Sequence, residues 1–266
     1  MKPRRATGPH LALAGASIVV TRPADSAGAL RRTVNRLDGT AVGLPGIAVR
    51  ATADAAAARR ALRTAQNADI VVFISPAAVR FAWTLLPRLR FARATRVFAP
   101  GPGSVRALRR RGVAGAQSAP DRHDSEGLLS LAALQSVRRR RIILIGAPGG
   151  RDLLARELRT RGARVEHVGV YERTAPRLNQ RHFAALERAA DPLIVLFSSA
   201  EALTNLHALL PAPLFARLAA AECVVSSARL AEIAQSSGFA RVHVAQSAAP
   251  AALVEAACAA LARHRL

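Results

Sequence analysis

The chain has 266 residues, 51% of them hydrophobic, and its 39 basic against 17 acidic residues give a net charge of +22. At about 150 residues per domain this length suggests two domains, and the hydrophobic share excludes a disordered chain. Cys223 and Cys258 are the only cysteines, which excludes a disulfide framework or a cysteine-based zinc site and fits a reducing cytoplasm.

Lys2 is the only lysine, so the basic residues are arginines. Together with abundant alanine this reads as a GC-rich codon bias. The bias accounts for Arg in place of Lys but not for the excess of base over acid. That excess points to a polyanionic partner. Nucleic-acid readers carry aromatic stacking platforms or a basic helix; with one Trp and one Tyr, a small polyanion is the better fit, with no specific nucleic acid. Lys2, Arg4 and Arg5 before Leu11 to Val20 imitate a signal peptide, but Gly8-Pro9-His10 interrupts it and Ser17 to Thr21 is needed as a strand. No apolar run approaches the roughly 20 residues of a membrane span.

In chain order the pattern runs twice. Ile18 to Thr21 predicts a strand, Arg22 to Asp25 a loop, and Leu30, Val34 and Leu37 one face of a helix. Gly39 sits as a helix C-cap, and Val42 to Val49 reads as the next strand. A helix near Asp54 to Ala65 leads to the wholly apolar strand ending at Ser75. After another helix come a strand at Arg96 to Ala99 and a helix closed by Gly112. Ser125-Glu-Gly-Leu-Leu129 starts a further, well-capped helix, and Arg138 to Arg141 forms a polar joint. The second pass has strand Ile142 to Ile145, a helix with Leu153, Leu154 and Leu158 on one face, Gly162 as C-cap, and strand Val165 to Tyr171. It continues with a helix at Gln180 to Ala190, an apolar strand ending at Ser198, strand Cys223 to Val225, a helix closed by Gly238, and a last helix from Pro250. Ile70-Val-Val-Phe-Ile-Ser75 is thus echoed by Leu193-Ile-Val-Leu-Phe-Ser198. A period this long means two like domains rather than a solenoid, and two like domains make a cleft for a ligand. Alternating strands and helices argue for an α/β fold with parallel sheets covered on both faces.

Ligands of open α/β sheets bind outside the carboxyl ends of the strands. The loops there are Thr21-Arg22-Pro23, Ser75-Pro76, Gly101-Pro-Gly-Ser104, Gly149-Gly150-Arg151, Ser198-Ser199 and Ser226-Ser227-Ala-Arg229. Each precedes a helix, whose unpaired N–H groups suit carboxylate or phosphate; the alternative use of each serine is ordinary capping. Gly146-Ala-Pro-Gly-Gly-Arg151 lacks both the Gly-Lys-Ser/Thr of a phosphate loop and the Gly-x-Gly-x-x-Gly spacing, so no nucleotide cofactor is expected. No Gly-x-Ser-x-Gly elbow is present. The seven histidines show no metal-ligand spacing, and Asp121, Asp124 and Glu126 read as helix capping, so no metal is expected. Tyr171, the only tyrosine, ends a strand. It reads either as half-buried filler or as a proton donor in a cleft.

In order and spacing these motifs resemble the uroporphyrinogen-III synthase family from Ile18 to about Leu261. The resemblance rests on Val20-Thr-Arg-Pro23, Phe73-Ile-Ser-Pro76-Ala-Ala-Val, Gly101-x-x-Ser104-x-x-Ala-Leu108, Ser125-Glu-Gly-Leu-Leu129 and Gly149-Gly-Arg-Asp-Leu-Leu154. It continues through Arg161-Gly-Ala-x-Val165, Val170-Tyr-Glu-Arg173, Ser198-Ser and Val224-Val-Ser-Ser-Ala-Arg-Leu230. Gly103 and Ser104 stand where many relatives carry a threonine pair, and Pro100 before Gly101 is unusual. The resemblance implies two similar three-layer α/β/α domains, discontinuous in the chain, with residues 1–42 plus 174–266 in one and 43–173 in the other. A two-stranded connector at about 42–49 and 165–173 would join them, and the repeats would exchange their first strand and helix. It implies a cytoplasmic monomeric lyase of haem biosynthesis that needs no cofactor. That enzyme dehydrates hydroxymethylbilane, inverts its terminal ring and closes it to uroporphyrinogen III. Tyr171 matches the family's active-site tyrosine. Thr21, Arg22, Ser75, Gly101, Ser104, Gly150, Arg151, Ser198, Ser199, Ser227 and Arg229 are the expected contacts for the substrate's eight carboxylates. The altered loop at Gly101 to Ser104 motivates an alternative, a non-catalytic tetrapyrrole-binding or regulatory protein on the same fold.

Overall fold

The computed structural model describes residues 12–120, 122, 124–148 and 152–264. Contacts divide the chain into two units. One takes the described residues up to Ala48 and from Thr174 onward; the other is Val49–Arg173.

The first unit begins with β1 (Ser17–Val20), α1 (Gly28–Arg36) and β2 (Thr40–Gly43). Between α1 and β2 the left-handed residue is Asp38, at φ 60°, and not Gly39, which the sequence marks as the C-cap. Gly39 serves close packing instead: a Cβ there would stand 2.9 Å from Leu13 Cβ. At the matching turn of the second repeat, Gly162 does take the left-handed conformation, at φ 82°.

The chain passes into the second unit through β3 (Ala48–Ala51). There follow α2 (Ala55–Ala65), β4 (Ile70–Phe73), α3 (Pro76–Leu85), β5 (Arg96–Phe98), α4 (Pro102–Arg109), α5 (Ser125–Ser130), α6 (Ala132–Gln135), β6 (Arg141–Gly146), α7 (Asp152–Thr160) and β7 (Arg164–Gly169), and β8 (Tyr171–Thr174) leads back. The first unit then completes itself with α8 (Gln180–Glu187), β9 (Leu193–Phe197), α9 (Ala200–Leu209), α10 (Ala212–Ala219), β10 (Glu222–Val225), α11 (Ala228–Ser236), β11 (Arg241–Val244) and α12 (Pro250–His264).

The first unit holds a five-stranded sheet of order β11-β10-β9-β1-β2, the second a four-stranded sheet of order β5-β4-β6-β7. Every pairing within them is parallel. Each sheet takes strands from both repeats: Ser17 of β1 lies beside Leu193 of β9, and Ile70 of β4 beside Ile142 of β6. The α/β class with parallel sheets, expected from the alternation of elements, is what the chain adopts.

The reason is burial on both faces. In the second unit Val71, Phe73, Ile143 and Ile145 join one core cluster, while Ile70, Val72, Ile142 and Leu144, alternating with them, join another. In the first unit Val195 and Phe197 face one core and Ile194 and Leu196 the other. At about 1.5–3 kcal/mol for each fully buried large apolar side chain, such strands are stable only when sandwiched between helices.

Two stretches expected as single strands, Val42 to Val49 and Val165 to Tyr171, are each broken. Past β2, Leu44 and Gly46 still donate to Val20 and Thr21 carbonyls, but Pro45 between them has no N–H to donate. The chain then re-forms as β3, which pairs with β8 in a two-stranded sheet of its own. On the other side, Val170 donates to the carbonyl of Gly146, the last residue of β6. With that partner strand exhausted, β7 gives way to β8. The polar joint of four arginines is shorter than expected as well, since Arg141 already belongs to β6.

At the amino end of β10, Glu222 is buried, at 4% exposure, and holds three elements together. Its carboxylate accepts from His243 Nε2 of β11 at 2.6 Å and from His264 Nδ1 of α12 at 3.2 Å, and Arg241 Nε stands 2.8 Å away. Arg263, which can only donate, bonds His243 Nδ1 at 2.8 Å. That ring nitrogen therefore accepts, and the His243 proton sits on Nε2, facing Glu222. Burial alone would raise the Glu222 carboxyl, but the bonds from His243 and His264 and the Arg241 charge outweigh it and hold it below its usual range.

Two outcomes are expected. Gly46→Ala should destabilise the first unit by about 1–3 kcal/mol, because a Cβ there would lie 2.6 Å from the Ala202 carbonyl oxygen; an unchanged urea midpoint would show that the loop has room. Because the folded pKa of Glu222 is lowered, its contribution to stability is present above the ordinary value of 4.5 and is lost as pH falls through the lowered folded value. Stability measured by urea at pH 7 and across the range below 4.5 should therefore show a steeper acid loss in the parent than in Glu222→Gln. Identical slopes would remove Glu222 from that role.

Candidate active site

Strand β4 delivers Ile74 and Ser75 to its carboxyl end. Ser75 is the N-cap of α3, its Oγ accepting from the Ala78 N–H at 3.0 Å, and Pro76 takes the first helical position, where no N–H is needed. The same Oγ lies 3.1 Å from the phenol oxygen of Tyr171. Tyr171 opens β8 and is buried. Its ring is stacked on Phe81 of α3, with centroids 5.6 Å apart and planes 19° apart. The Arg80 guanidinium carbon lies 4.7 Å from the centre of the Phe81 ring.

Ser75 and Tyr171 form part of the wall of a cavity of about 190 Å³ within the second unit. Ile74, Leu128, Leu154 and Ala147 give it apolar sides, while Pro100, Ser125 and Arg173 come from the loops and from β8. Ile74 and Ala147 directly follow β4 and β6, and Ser75 and Pro100 stand one residue further past β4 and β5, at the carboxyl edge where parallel sheets present their ligands. The arrangement offers one phenol, two hydroxyls and one guanidinium around an apolar space. It can donate a hydrogen bond to a leaving oxygen and pair with a carboxylate.

The other expected residues fare differently. Gly101 is the N-cap of α4, beside the cavity residue Pro100. Ser104, in the first turn of α4, is 4% exposed. Gly150 and Arg151 lie outside the described residues. The remaining six belong to the first unit. Thr21 is buried, and its hydroxyl donates to the Leu196 carbonyl at 2.7 Å, so it ties β1 to β9. Arg22 donates to the Ala248 carbonyl. Burial lowers its pKa, and its Nε is buried without a hydrogen-bond partner. Ser199, and not Ser198, is the N-cap of α9, and its side chain makes no capping bond. Ser227 caps α11 through the Leu230 N–H at 3.4 Å, with Arg229 exposed in the first turn of that helix.

Sequence reasoning left Phe81, Ser125 and Arg173 out of the site. Arg173 was within reach of it, because residues two apart on a strand share a face and Tyr171 was already singled out. For Phe81 no local pattern reveals the ring it stacks on. Among the described residues no cluster of His, Cys, Asp and Glu could hold a metal ion, and no helix is long and apolar enough to cross a membrane.

Residues 28–255 match the model of the family described as uroporphyrinogen-III synthase HemD. A uroporphyrinogen-III synthase from Salmonella typhimurium is 30% identical over 243 residues, covering 90% of this chain and 99% of that protein. One from Escherichia coli is 29% identical over 248 residues with the same coverage. Among solved structures, a mutant uroporphyrinogen III synthase from Thermus thermophilus aligns with a TM-score of 0.55 at 18% identity, over 93% of this chain and 99% of that one. A uroporphyrinogen-III synthetase from Helicobacter pylori gives 0.55 at 14% identity, over 91% and 98%. These two likenesses establish a shared fold. From the family match and the Salmonella relative, the chain belongs to the uroporphyrinogen-III synthase family.

Proposed function

We propose that the chain dehydrates hydroxymethylbilane and closes it, with its terminal pyrrole inverted, to uroporphyrinogen III. In a chain of this family, the observation that carries this reading is the Tyr171 phenol, hydrogen-bonded to Ser75 in the wall of a partly apolar cavity. The pyrrole nitrogen lone pair expels the terminal hydroxyl, Tyr171 donates the hydrogen bond that eases its departure, and water leaves. General-acid help of this kind is worth about 10²–10⁴-fold. The bilane closes without inversion when left alone, so the larger task is to hold it folded for the inverted attack.

The helix starts supply that hold for the eight carboxylates. Gly101, Gly150, Arg151, Ser198, Ser199, Ser227, Arg229 and the partly unsatisfied Arg22 are the proposed anchors, with Arg173 added from the cavity wall. Thr21 and Ser104, buried in the fold, drop out as hydroxyl anchors. Ser75 is better read as a positioning residue for Tyr171 than as a carboxylate contact. The proposed enzyme is a lyase, monomeric and cytoplasmic, with no cofactor. Its two domains are those implied by the family resemblance, discontinuous in sequence. The cytoplasm also suits its free cysteines, of which Cys223 is buried with its thiol pushed up to about 12.

Incubation with hydroxymethylbilane, followed by oxidation and chromatography of the isomers, should give the type III product. Only the type I isomer, as without enzyme, would overturn the reading, and tight binding without turnover would place the chain among non-catalytic binders. Tyr171→Phe should lower kcat by about 10²-fold or more with an unchanged unfolding midpoint; an unchanged kcat would remove the phenol from the chemistry. Ser75→Ala should lower kcat less and add nothing further in the Tyr171→Phe background, as expected of two groups acting as a unit. Additive losses would return Ser75 to direct substrate contact.

A further inference from the structure

The second unit carries a second cavity, of about 240 Å³, between the segment from Leu89 to Thr95 and the turn from Arg111 to Gly115. These segments lead into β5 and out of α4, so the cavity lies at the amino end of the sheet. The Tyr171 cavity is at the carboxyl end. Phe91, Val97 and Val113 give the second cavity an apolar floor, and the exposed Arg90, Arg93 and Arg111 give it a cationic rim.

Charge and architecture both single this place out. From Ile70 to Pro120 there are nine arginines and no Asp or Glu, and Val49–Arg173 as a whole has 24 arginines against nine carboxylates. Codon usage exchanges Lys for Arg but does not remove acids from a 51-residue stretch. The sister unit shows what the same position looks like when filled. There the connection from α9 to β10 holds α10, whose Leu214 and Leu218 are buried. The corresponding connection from α3 to β5 has no helix and leaves the cavity open. Three arginines, Arg88, Arg90 and Arg93, stand in this connection, against the single Arg217 in its counterpart. Arg111 precedes Gly112 where Ser237 precedes Gly238.

We propose that this cavity is a binding site, separate from the Tyr171 site, for a small molecule with one flat ring and at least two anionic groups. The ring rests on the apolar floor and the rim guanidiniums take the anions, which they can contact bidentately. Pockets for drug-sized ligands run from roughly 300 to 1,000 Å³, so the enclosed part of this one suits a single ring. It lies at the opposite end of the sheet and shares no lining residue with the Tyr171 cavity, so it is not a second copy of that site, and its occupation does not depend on the function proposed above.

The test is calorimetric titration of the whole chain at fixed ionic strength with benzene-1,3-diphosphonate, with benzene-1,3,5-tricarboxylate and with pyrophosphate, which has the charge but no ring. Binding of either ring-bearing probe, tighter than pyrophosphate, is the expected result; the diphosphonate alone identifies a phosphate site, the tricarboxylate alone a carboxylate site. The double variant Arg93→Gln/Arg111→Gln should bind about tenfold more weakly, the loss of a charge-assisted hydrogen bond, while its turnover of hydroxymethylbilane, or its unfolding midpoint should the chain prove inactive, stays as in the parent. The exposed pair Arg31→Gln/Arg32→Gln on α1 removes the same charge elsewhere and should leave binding untouched. The proposal falls if neither ring-bearing probe binds, if pyrophosphate binds as well as they do, or if the two double variants weaken binding equally.

Discussion

Strand β4 reads Ile-Val-Val-Phe, and no side chain in it has a use for water on either face of the sheet. That single requirement organises the second unit. β4 must lie inside a sheet, between β5 and β6, with a helical layer above and below. Parallel pairing obliges each crossover to return to the amino edge before the next strand begins. The carboxyl edge therefore collects every strand-to-helix turn, each with a fresh helix start and its unpaired N–H groups. Ser75 stands two residues past the end of β4, and Tyr171 reaches it from the separate ladder of β3 and β8. The contact between the two hydroxyls is a product of the sheet before it is part of any chemistry.

The capping role of Ser75 and the positioning role proposed for it are compatible. A serine hydroxyl has one proton and two lone pairs. Accepting from Ala78 uses one lone pair and leaves the proton and the other lone pair to face the phenol. Capping thus fixes the rotamer from which Ser75 meets Tyr171, and Phe81, carried on the helix being capped, stacks on the phenol ring from the side. Thr21 shows the other outcome. Its hydroxyl donates across the sheet to Leu196 and is buried. Of two hydroxyls in similar strand-end loops, the one directly after its strand ties the sheet together and the one a residue further on meets the Tyr171 phenol, and composition does not distinguish them.

How much of this was legible follows the range of the interactions involved. The α/β class, the apolar interior strands and the doubling of the chain rest on periodicity within about ten residues, and they are readable from Ile70 to Phe73 and Leu193 to Phe197 alone. The break at Pro45 was readable in principle, since a proline cannot donate, but the apolar run across it masked the interruption. The helix start at Ser199 in place of Ser198 shifts a cap by one residue, which the echo of Ser75 conceals. The clasp on Glu222 joins residues 21 and 42 positions away, and nothing near Glu222 in sequence marks it as buried. Phe81 and Tyr171 lie 90 residues apart, and only the fold brings them together.

A parallel sheet has two unlike ends, and in the second unit a cavity lies at each. At the carboxyl ends the turns are short and offer backbone donors, which suits a substrate that presents carboxylates at many points. The amino ends have no helix starts aimed at them, so charge there must be supplied by side chains. In the first unit the balance is struck internally: Arg241, His243 and His264 converge on one buried carboxylate, and the sheet edge is tied to the last helix. In the second unit Asp69 and Glu166 pair with Arg140 and Arg141 at that edge, but no acid lies between Ile70 and Pro120, so the arginines around the cavity repel one another at a cost to the folded state. The sister unit, built on the same repeat, closes the equivalent place with a helix and spends little charge on it. An open cavity rimmed with uncompensated cations is the more costly of the two solutions, and a bound anion would offset that cost.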